Sequence, residues 1–250
     1  MPGPAMQIAV LPARGGSKRV PRKNVRPFCG RPMIAWPIRA ALDSGLFDKV
    51  VVTTEDDEIA AAARAAGAEV PFMRPAGLAD DHTPTRAVVN HAITAMAGLT
   101  GRPVASACLI YATAAFLAPD DLRAARALLD APGRDFVFAA LPFAHPVQRA
   151  LVEDGAGGVR MLSPEHAGTR SQDLPEAFHD AAQFYWGRAE AFLAGRPMFG
   201  PASAPYLLAR DRAVDIDTPA DWDFAEALMR LRQAGFAANP ATDPTPGDAG

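Results

Sequence analysis

Short apolar runs alternate with longer amphipathic segments along the first half of the chain. The runs at residues 8–11, 49–54, 105–111 and 135–140 are strand-length and mostly apolar or β-branched, which is typical of strands buried on both faces of a sheet. The segments between them carry apolar residues at helical spacing. Strands that alternate with helices indicate a parallel sheet with right-handed crossovers. The pattern therefore predicts an α/β fold with a mostly parallel sheet flanked by helices.

Helix ends are marked by proline and by capping residues. Thr83 followed by Pro84, and Thr218 followed by Pro219, each combine an N-cap with proline at the first helical position. The second of these helices should reach about residue 233. The remaining predicted elements are helices at 33–42, 58–66, 119–129 and 188–193, and short strands at 69–72 and 206–209.

A different pattern begins near residue 142. Prolines, paired glycines and short alternating runs predict β-hairpins over residues 142–187. We expect these hairpins to form a small β-rich lobe inserted in a single domain of residues 7–234. Residues 1–6 and 235–250 lack periodicity and are expected to be a disordered leader and a disordered tail.

Composition limits the classes of function. The chain has 250 residues, 49% of them hydrophobic, and a formal net charge of -3. A slightly acidic protein is not expected to bind nucleic acid through a basic surface. No apolar run approaches the roughly 20 residues of a membrane span. The two cysteines, Cys29 and Cys108, are far apart and outside any zinc motif. We therefore expect a cytoplasmic protein without a nucleic-acid or membrane partner.

The first predicted strand leads into a basic loop, and residues 8–24 have the sequence IAVLPARGGSKRVPRKN. Between residues 13 and 42 there is no acid, and the basic residues are Arg14, Lys18, Arg19, Arg22, Lys23, Arg26, Arg31 and Arg39. Backbone N–H groups and cations at the carboxyl end of a strand can bind a phosphate chain. The loop matches neither GxxxxGK[ST] nor GxGxxG. The alternative is a glycine turn among solvated surface cations, but the position after a strand favours an anion site.

Two carboxylates, Asp215 and Asp217, lie two positions apart before the last predicted helix. Residues at i and i+2 of an extended segment point to the same side, which suits a shared divalent cation. Asp217 also directly precedes the Thr218 N-cap, where the helix dipole favours an acid without any metal. The residues alone leave both explanations open.

Hydrogen-bonding side chains are dense over residues 169–185, where the sequence is TRSQDLPEAFHDAAQFY. Such a segment suits recognition of a polyhydroxylated ligand. The neighbours His179 and Asp180 are more often a surface pair than a catalytic dyad. The histidines show no HExxH spacing and the chain has no GxSxG motif, so a metal site of that type and a serine hydrolase are not indicated.

Five segments match motifs of a known family. They are LPARGGSKRVPRKN, PFCGRPMIAWPI, DKVVVTTEDDEIA, RPAGLADDHT and DIDTPADW. In order and spacing they resemble the CMP-sialic acid synthetase family of cytidylyltransferases over residues 8–228. LIYATAAFL and TRSQDLPEAFHDAAQFYWGRAEAF look most like members that activate pseudaminic acid. The resemblance implies a Rossmann-like nucleotide-diphospho-sugar transferase fold and a homodimer. It also implies Mg²⁺-dependent transfer of CMP from CTP to a nonulosonic acid, a nine-carbon sugar acid, with release of pyrophosphate.

The resemblance also implies roles for individual residues. The implied nucleotide-binding residues are Ala13, Arg14, Gly15, Gly16, Ser17, Lys18, Asn24, Arg74 and Thr83. The implied catalytic residues are Arg14, Lys18 and Lys23. The implied sugar-binding residues are Tyr111, Arg170, Gln172, His179, Asp180, Gln183 and Tyr185. The implied metal ligands are Asp215 and Asp217.

Two positions depart from the family pattern. Ala115 stands where the family usually has proline, and Ala182 stands where glycine is common. Both changes affect the expected sugar more than the expected chemistry, so sialic or legionaminic acid is an alternative acceptor. A non-catalytic nucleotide-binding module of the same fold is a less favoured alternative, because binding alone does not require the acidic pair.

Overall fold

The structure, a computed structural model, describes residues 3–17, 19–80 and 83–235. Its strands are β1 (Met6–Pro12), β2 (Pro27–Phe28), β3 (Arg31–Pro32), β4 (Lys49–Thr53), β5 (Val104–Ile110), β6 (Phe136–Pro142), β7 (Leu151–Glu153), β8 (Val159–Met161), β9 (Phe178–Arg188) and β10 (Ser203–Leu207). Its helices are α1 (Ala35–Ser44), α2 (Asp57–Ala65), α3 (Thr85–Thr100), α4 (Pro119–Leu129), α5 (Ala189–Leu193) and α6 (Pro219–Gln233).

The main sheet of the described chain has the strand order β10-β6-β9-β5-β1-β4. β1 pairs in parallel with β4 and β5, and β10 pairs in parallel with β6. β9 is antiparallel to both of its neighbours, β5 and β6. The predicted α/β fold with a mostly parallel sheet is confirmed. The carboxyl ends of β1, β4 and β5 meet at one edge of the sheet, and the amino-terminal part of β9 lies at the same edge.

Helices cover both faces of the sheet because the strand side chains alternate between the faces. Ala9 and Leu11 of β1 pack in one core cluster with apolar residues of α1, α2 and α4. Ile8 and Val10 pack in a second cluster with residues of α3 and α5. All four side chains are fully buried, as the continuous apolar run predicts.

A third apolar cluster seats α6 beside the basic loop. Phe28 makes edge-on contacts with the rings of Phe116 and Trp222, at centroid distances of 6.5 and 5.4 Å. Val20 of the basic loop and Ile216 are both fully buried in this cluster. Because Ile216 lies between the two predicted metal ligands, its burial holds that acidic segment next to the loop.

The position of β9 corrects the predicted boundary of the lobe. Residues up to 187 were expected in the inserted lobe, but β9 is a strand of the central sheet. Phe184 and Trp186 belong to one core cluster and Tyr185 to the other, so both faces of the strand are buried. The polar residues at its beginning conceal this pattern in the sequence. The predicted hairpin is present before it, formed by β7 and β8.

One of the two predicted proline-marked helix starts is confirmed and the other is wrong in detail. The Thr218 hydroxyl accepts a hydrogen bond from the backbone of Asp221 at 3.2 Å, and the Asp221 carboxylate accepts one from the backbone of Thr218 at 2.7 Å. Helix α3 instead begins at Thr85 without a side-chain cap. The Thr83 backbone and hydroxyl both donate to Asp80, at 2.6 and 2.9 Å, so this residue closes a turn rather than capping the helix.

Smaller differences concern the weakest sequence signals. The predicted strand at residues 69–72 is reduced to one parallel bridge between Val51 and Glu69. The strand expected at 206–209 lies slightly earlier, as β10. Met6 was assigned to the leader but is fully buried in β1. Most of the predicted tail lies outside the described residues. None of the described helices is long and apolar enough to cross a membrane.

Candidate active site

A cavity of about 550 Å³ opens at the edge of the sheet where β1 and β5 end. It is lined by Pro12, Arg14, Ser17, Arg19, Lys23, Asn24, Arg74, Leu78, Asp80, Thr83, Thr85, Val88, Tyr111, Ala112 and Thr113. Its walls thus come from the basic loop, from the segment that contains Arg74, from the start of α3 and from the loop after β5. This is the edge at which open α/β sheets bind ligands.

Hydrogen bonds from both backbone and side-chain groups hold the basic loop in place. The Ala13 N–H donates to the carbonyl of Thr53 at 3.0 Å, which extends the pairing of β1 with β4. The buried Asn24 side chain donates to the carbonyl of Arg14 at 3.0 Å. Ser17 donates its hydroxyl to the carbonyl of Val20 at 2.6 Å. These bonds fix the loop as one wall of the cavity.

The two glycines of the loop have different surroundings. A Cβ added to Gly15 would lie 2.4 Å from a carboxylate oxygen of Asp56, whereas one added to Gly16 would meet none of the described residues within 4 Å. The Gly15 N–H donates to Oε1 of Glu55 at 2.7 Å. Gly15 therefore permits close packing against the segment after β4, and Gly16 is exposed at the open side of the loop. Lys18, the predicted catalytic lysine, lies outside the described residues.

Several cations of the loop are paired with acids from distant parts of the chain. Arg19 contacts Asp217 at 2.7 Å, and Arg22 binds Asp56 through two contacts of 2.5 and 3.0 Å and also contacts Glu58. The guanidinium groups of Arg26 and Arg31 lie over the rings of Trp222 and Trp36, and Arg39 pairs with Asp43. The positive field expected from the sequence is therefore partly neutralised, and cations at the cavity itself are Arg14, Arg19, Lys23 and Arg74.

Arg74 is the most deeply buried of the cavity cations, with 5% of its side chain exposed. Its guanidinium donates to the hydroxyl and carbonyl of Thr53, and its backbone N–H donates to the carbonyl of Thr54 at 2.8 Å. Burial lowers the pKa of Arg74, while the charge of Glu55 raises it. The end of β4 thus fixes a cation in the cavity wall.

The acidic pair lies beside the basic loop, because Ile216 and Val20 are buried in the same apolar cluster. Lys23 donates to the carbonyl of Ile216 at 2.5 Å and lies 4.0 Å from a carboxylate oxygen of Asp217. Burial lowers the pKa of Lys23. Asp215 is accessible to solvent, yet partial desolvation and the neighbouring Asp217 raise its pKa. The segment that carries both carboxylates is thus held beside the loop.

Two tyrosines connect the cavity to β9. Tyr111 lines the cavity, its N–H donates to the carbonyl of Gln183 at 2.9 Å, and its ring centroid is 5.7 Å from that of Tyr185. Tyr185 donates its hydroxyl to Asp180 at 2.5 Å. Burial raises the pKa of both tyrosines, so their hydroxyls stay protonated and can donate. The Gln183 amide is buried and donates to the carbonyl of Ala181 at 3.1 Å.

Asp180 also borders a second recess, of about 280 Å³, whose other walls are Phe138, Phe178 and Phe199. The rings of Phe138 and Phe199 meet edge-on with their centroids 4.8 Å apart. The sequence does not predict this aromatic group, because Phe138, Phe178 and Phe199 come from three separate segments of the chain. The recess adds an apolar surface next to the polar groups at the start of β9.

The remaining predicted sugar-binding residues lie in or near the lobe. Arg170 makes two contacts with Asp173, at 2.7 and 3.1 Å, and both Arg170 and Gln172 are exposed. His179 lies on β9 with its ring centroid 5.1 Å from that of Phe143. These three residues do not line the larger cavity as the described residues form it. The structure therefore groups Tyr111, Asp180, Gln183 and Tyr185 but not the whole predicted set.

A cationic loop lies at the carboxyl edge of the sheet with an acidic pair beside it, an arrangement that suits a ligand carrying phosphate groups. The sequence profile described as cytidylyltransferase matches residues 8–228. The chain belongs to this cytidylyltransferase family, which confirms the family expected from its motifs.

Individual relatives refine this assignment. The chain is 40% identical over 224 residues to the pseudaminic acid cytidylyltransferase of Campylobacter jejuni, and the aligned region covers 90% of this chain and 96% of the relative. It is 32% identical over 235 residues to the CMP-N,N'-diacetyllegionaminic acid synthase of Legionella pneumophila, with 90% and 97% covered. A solved structure of CMP:2-keto-3-deoxy-manno-octonic acid synthetase complexed with CTP has a TM-score of 0.67 at 18% identity, over 91% of this chain and all of that one. This last likeness supports the fold.

Proposed function

We propose that this protein transfers CMP from CTP to pseudaminic acid, giving the CMP-activated sugar acid and pyrophosphate. The observation that carries the proposal is the cavity lined by Arg14, Lys23, Arg74 and Tyr111, with the acidic segment in contact with Lys23. The higher identity to a pseudaminic acid cytidylyltransferase than to a legionaminic acid synthase supports the choice of acceptor.

The proposed reaction is an in-line displacement at the α-phosphorus of CTP. The anomeric hydroxyl of the sugar acid releases its proton to solvent water as its oxygen bonds to phosphorus, and the bond from phosphorus to the pyrophosphate oxygen breaks. Charge builds up on the leaving pyrophosphate, so catalysis depends on positioning and on fixed positive charge. Arg14 and Lys23, with Lys18 as a further proposed cation, would supply that charge from the basic loop.

Asp215 and Asp217 would hold Mg²⁺, and the donor set fits this ion. Mg²⁺ is usually bound by one or two carboxylates together with substrate phosphates. Partial desolvation and the charge of Asp217 raise the pKa of Asp215, and a bound cation would favour the charged form of that carboxylate. When bound, the ion would neutralise phosphate charge and lower the pKa of the attacking hydroxyl. Arg19 contacts Asp217 and would have to release it.

We propose that the sugar acid binds where the cavity meets the start of β9. Asp180, Tyr185 and Tyr111 offer hydroxyl-binding groups there, and the adjoining phenylalanine recess offers apolar surface. A polyhydroxylated acid with apolar substituents needs both kinds of contact. Gln183 would shape this subsite from beneath, because its side chain is buried.

We also propose a homodimer in the cytoplasm. The β7-β8 hairpin exposes Leu151, Val159 and Leu162 by 62%, 66% and 53%, and such apolar side chains on a small ribbon favour burial against another subunit. In that arrangement the lobe residues Arg170 and Gln172 and the β9 residue His179 would contribute to sugar binding. Light scattering at micromolar concentration tests the dimer, and a monomer would contradict it.

Pyrophosphate release with CTP and a panel of sugar acids tests the function. We expect the highest kcat/KM with pseudaminic acid. Comparable or higher kcat/KM with legionaminic or sialic acid would overturn the acceptor assignment. CTP binding without pyrophosphate release from any of the acids would favour the non-catalytic module.

A further inference from the structure

Glu55 joins two walls of the cavity through a single carboxylate. It follows β4, and its Oε1 accepts the Gly15 N–H at 2.7 Å. Its Oε2 lies 3.7 Å from the Arg74 guanidinium. Oε2 is buried and has no hydrogen-bond partner within the described part of the chain. The charge of Arg74 therefore offsets the energetic cost of burying this carboxylate oxygen. The basic loop and the buried arginine are thereby tied to one side chain.

Electrostatics give this carboxylate a second role. Arg14 and Arg74 both line the cavity, and the charge of Arg14 lowers the pKa of Arg74. Glu55 acts in the opposite direction and raises it. The hydrogen-bond acceptors of the Arg74 guanidinium at Thr53 are neutral groups. Glu55 therefore offsets the repulsion between two cations that face the same cavity.

We propose that Glu55 is a positioning residue of the nucleotide site. Its carboxylate sets the Gly15 loop and the Arg74 guanidinium at the relative position that CTP requires, without itself reacting. This inference rests on one part of the proposed function, namely that CTP is the nucleotide bound in the cavity. A carboxylate is needed because both neighbours are donors. Glutamine has one acceptor oxygen, so an amide N–H group would face either Gly15 or Arg74.

The test compares Glu55→Gln with the matched control Glu58→Gln. Glu58 is an acid near the same end of α2, but its side chain is 68% exposed and contacts Arg22 outside the cavity. CTP affinity is measured by calorimetry with Mg²⁺ and no acceptor, and steady-state kinetics give kcat and both KM values. We expect Glu55→Gln to weaken CTP binding by about tenfold or more, the effect of one charge-assisted hydrogen bond. The kcat at saturating CTP, the KM for the sugar acid and the Tm should stay near those of Glu58→Gln.

A double-mutant cycle tests whether Glu55 acts through Arg74. Once Arg74→Ala has removed the guanidinium, Glu55→Gln should cost markedly less CTP affinity than it does in the native protein. If the two substitutions reduced CTP affinity by strictly additive free energies, Glu55 would not act through Arg74. Unchanged CTP affinity with a lowered Tm would reduce Glu55 to a structural residue, and tighter CTP binding would mean that Glu55 competes with phosphate. Either result overturns the inference.

The same measurements separate this inference from the proposed function. Native protein that binds CTP but transfers CMP to none of the sugar acids would refute the function, while the Glu55 comparison would still decide the inference. Native protein that binds no CTP would refute both.

Discussion

Replacing Gly15 by alanine should destabilise the protein through a single steric contact. The new Cβ would lie 2.4 Å from Oδ2 and 3.1 Å from Cγ of Asp56, well inside ordinary van der Waals contact. Asp56 cannot easily move, because it caps α2 by accepting the Ile59 N–H at 3.0 Å and is bound by Arg22. The basic loop or the start of α2 must therefore shift.

The magnitude follows from the bonds that such a shift would break. Loss of an N-cap costs roughly 0.5–2 kcal/mol, and overpacking a filled site costs about 1–3 kcal/mol. The ion pair of Asp56 with the partly exposed Arg22 adds little. We expect Gly15→Ala to lose about 2 kcal/mol of unfolding free energy, which corresponds to a Tm lower by roughly 4–8 °C for a chain of this size.

Gly16→Ala is the matched control for stability. Within the part of the chain that the structure describes, a Cβ there would meet nothing within 4 Å, and the Gly16 backbone lies outside the left-handed region. Its unfolding free energy should stay within about 0.5 kcal/mol of the native value. Urea unfolding followed by circular dichroism, together with calorimetric Tm values, compares the two variants. Equal stabilities for Gly15→Ala and Gly16→Ala would refute the packing argument.

Three further predictions concern backbone strain, acid stability and metal. Ala182 has a φ of 49°, so Ala182→Gly should relieve left-handed strain. The greater entropy of glycine in the unfolded chain offsets part of this gain, and we expect the unfolding free energy to rise by about 0.5–1 kcal/mol in urea titrations. A loss of stability would contradict this. The hydrogen bond from Arg22 lowers the pKa of Asp56 to about 2, so its charge stabilises the fold above about pH 4 and that contribution is lost as the pH falls towards 2. The stability advantage of the native protein over Asp56→Asn should therefore shrink across that interval in acid titrations, and a constant difference would contradict the assignment. Finally, EDTA should abolish pyrophosphate release and Mg²⁺ should restore it, while Asp217→Asn should lower kcat by at least about a hundredfold; full activity in chelator would remove the metal pair from the mechanism.

The features that could be predicted from the sequence are those whose causes are local. The apolar run of β1 and the Thr218 cap with its proline each depend on a few consecutive residues, and both are present in the structure. The pairing of β9 between β5 and β6 depends on residues far away in the chain, so its polar start suggested a lobe instead.

The ion pairs that neutralise the basic loop could not be predicted for the same reason. Arg19 and Asp217 are 198 residues apart, so no local pattern reveals their contact. Glu55 had a local signal, since it directly follows a predicted strand, but an acid near a helix start has an ordinary explanation in the helix dipole. Its role required the positions of Gly15 and Arg74 in space.

The reversed direction of β9 means that the residues around the cavity come from separate stretches of the sequence. Because this strand runs against its neighbours, its amino-terminal residues reach the ligand edge of the sheet directly after the lobe. The basic loop, the end of β4 and Arg74 all come from the first third of the chain. Substitutions in the lobe and at the start of β9 can therefore accumulate without disturbing the basic wall of the cavity. Such a fold can vary one wall of its cavity through one continuous stretch of sequence while the basic wall stays the same.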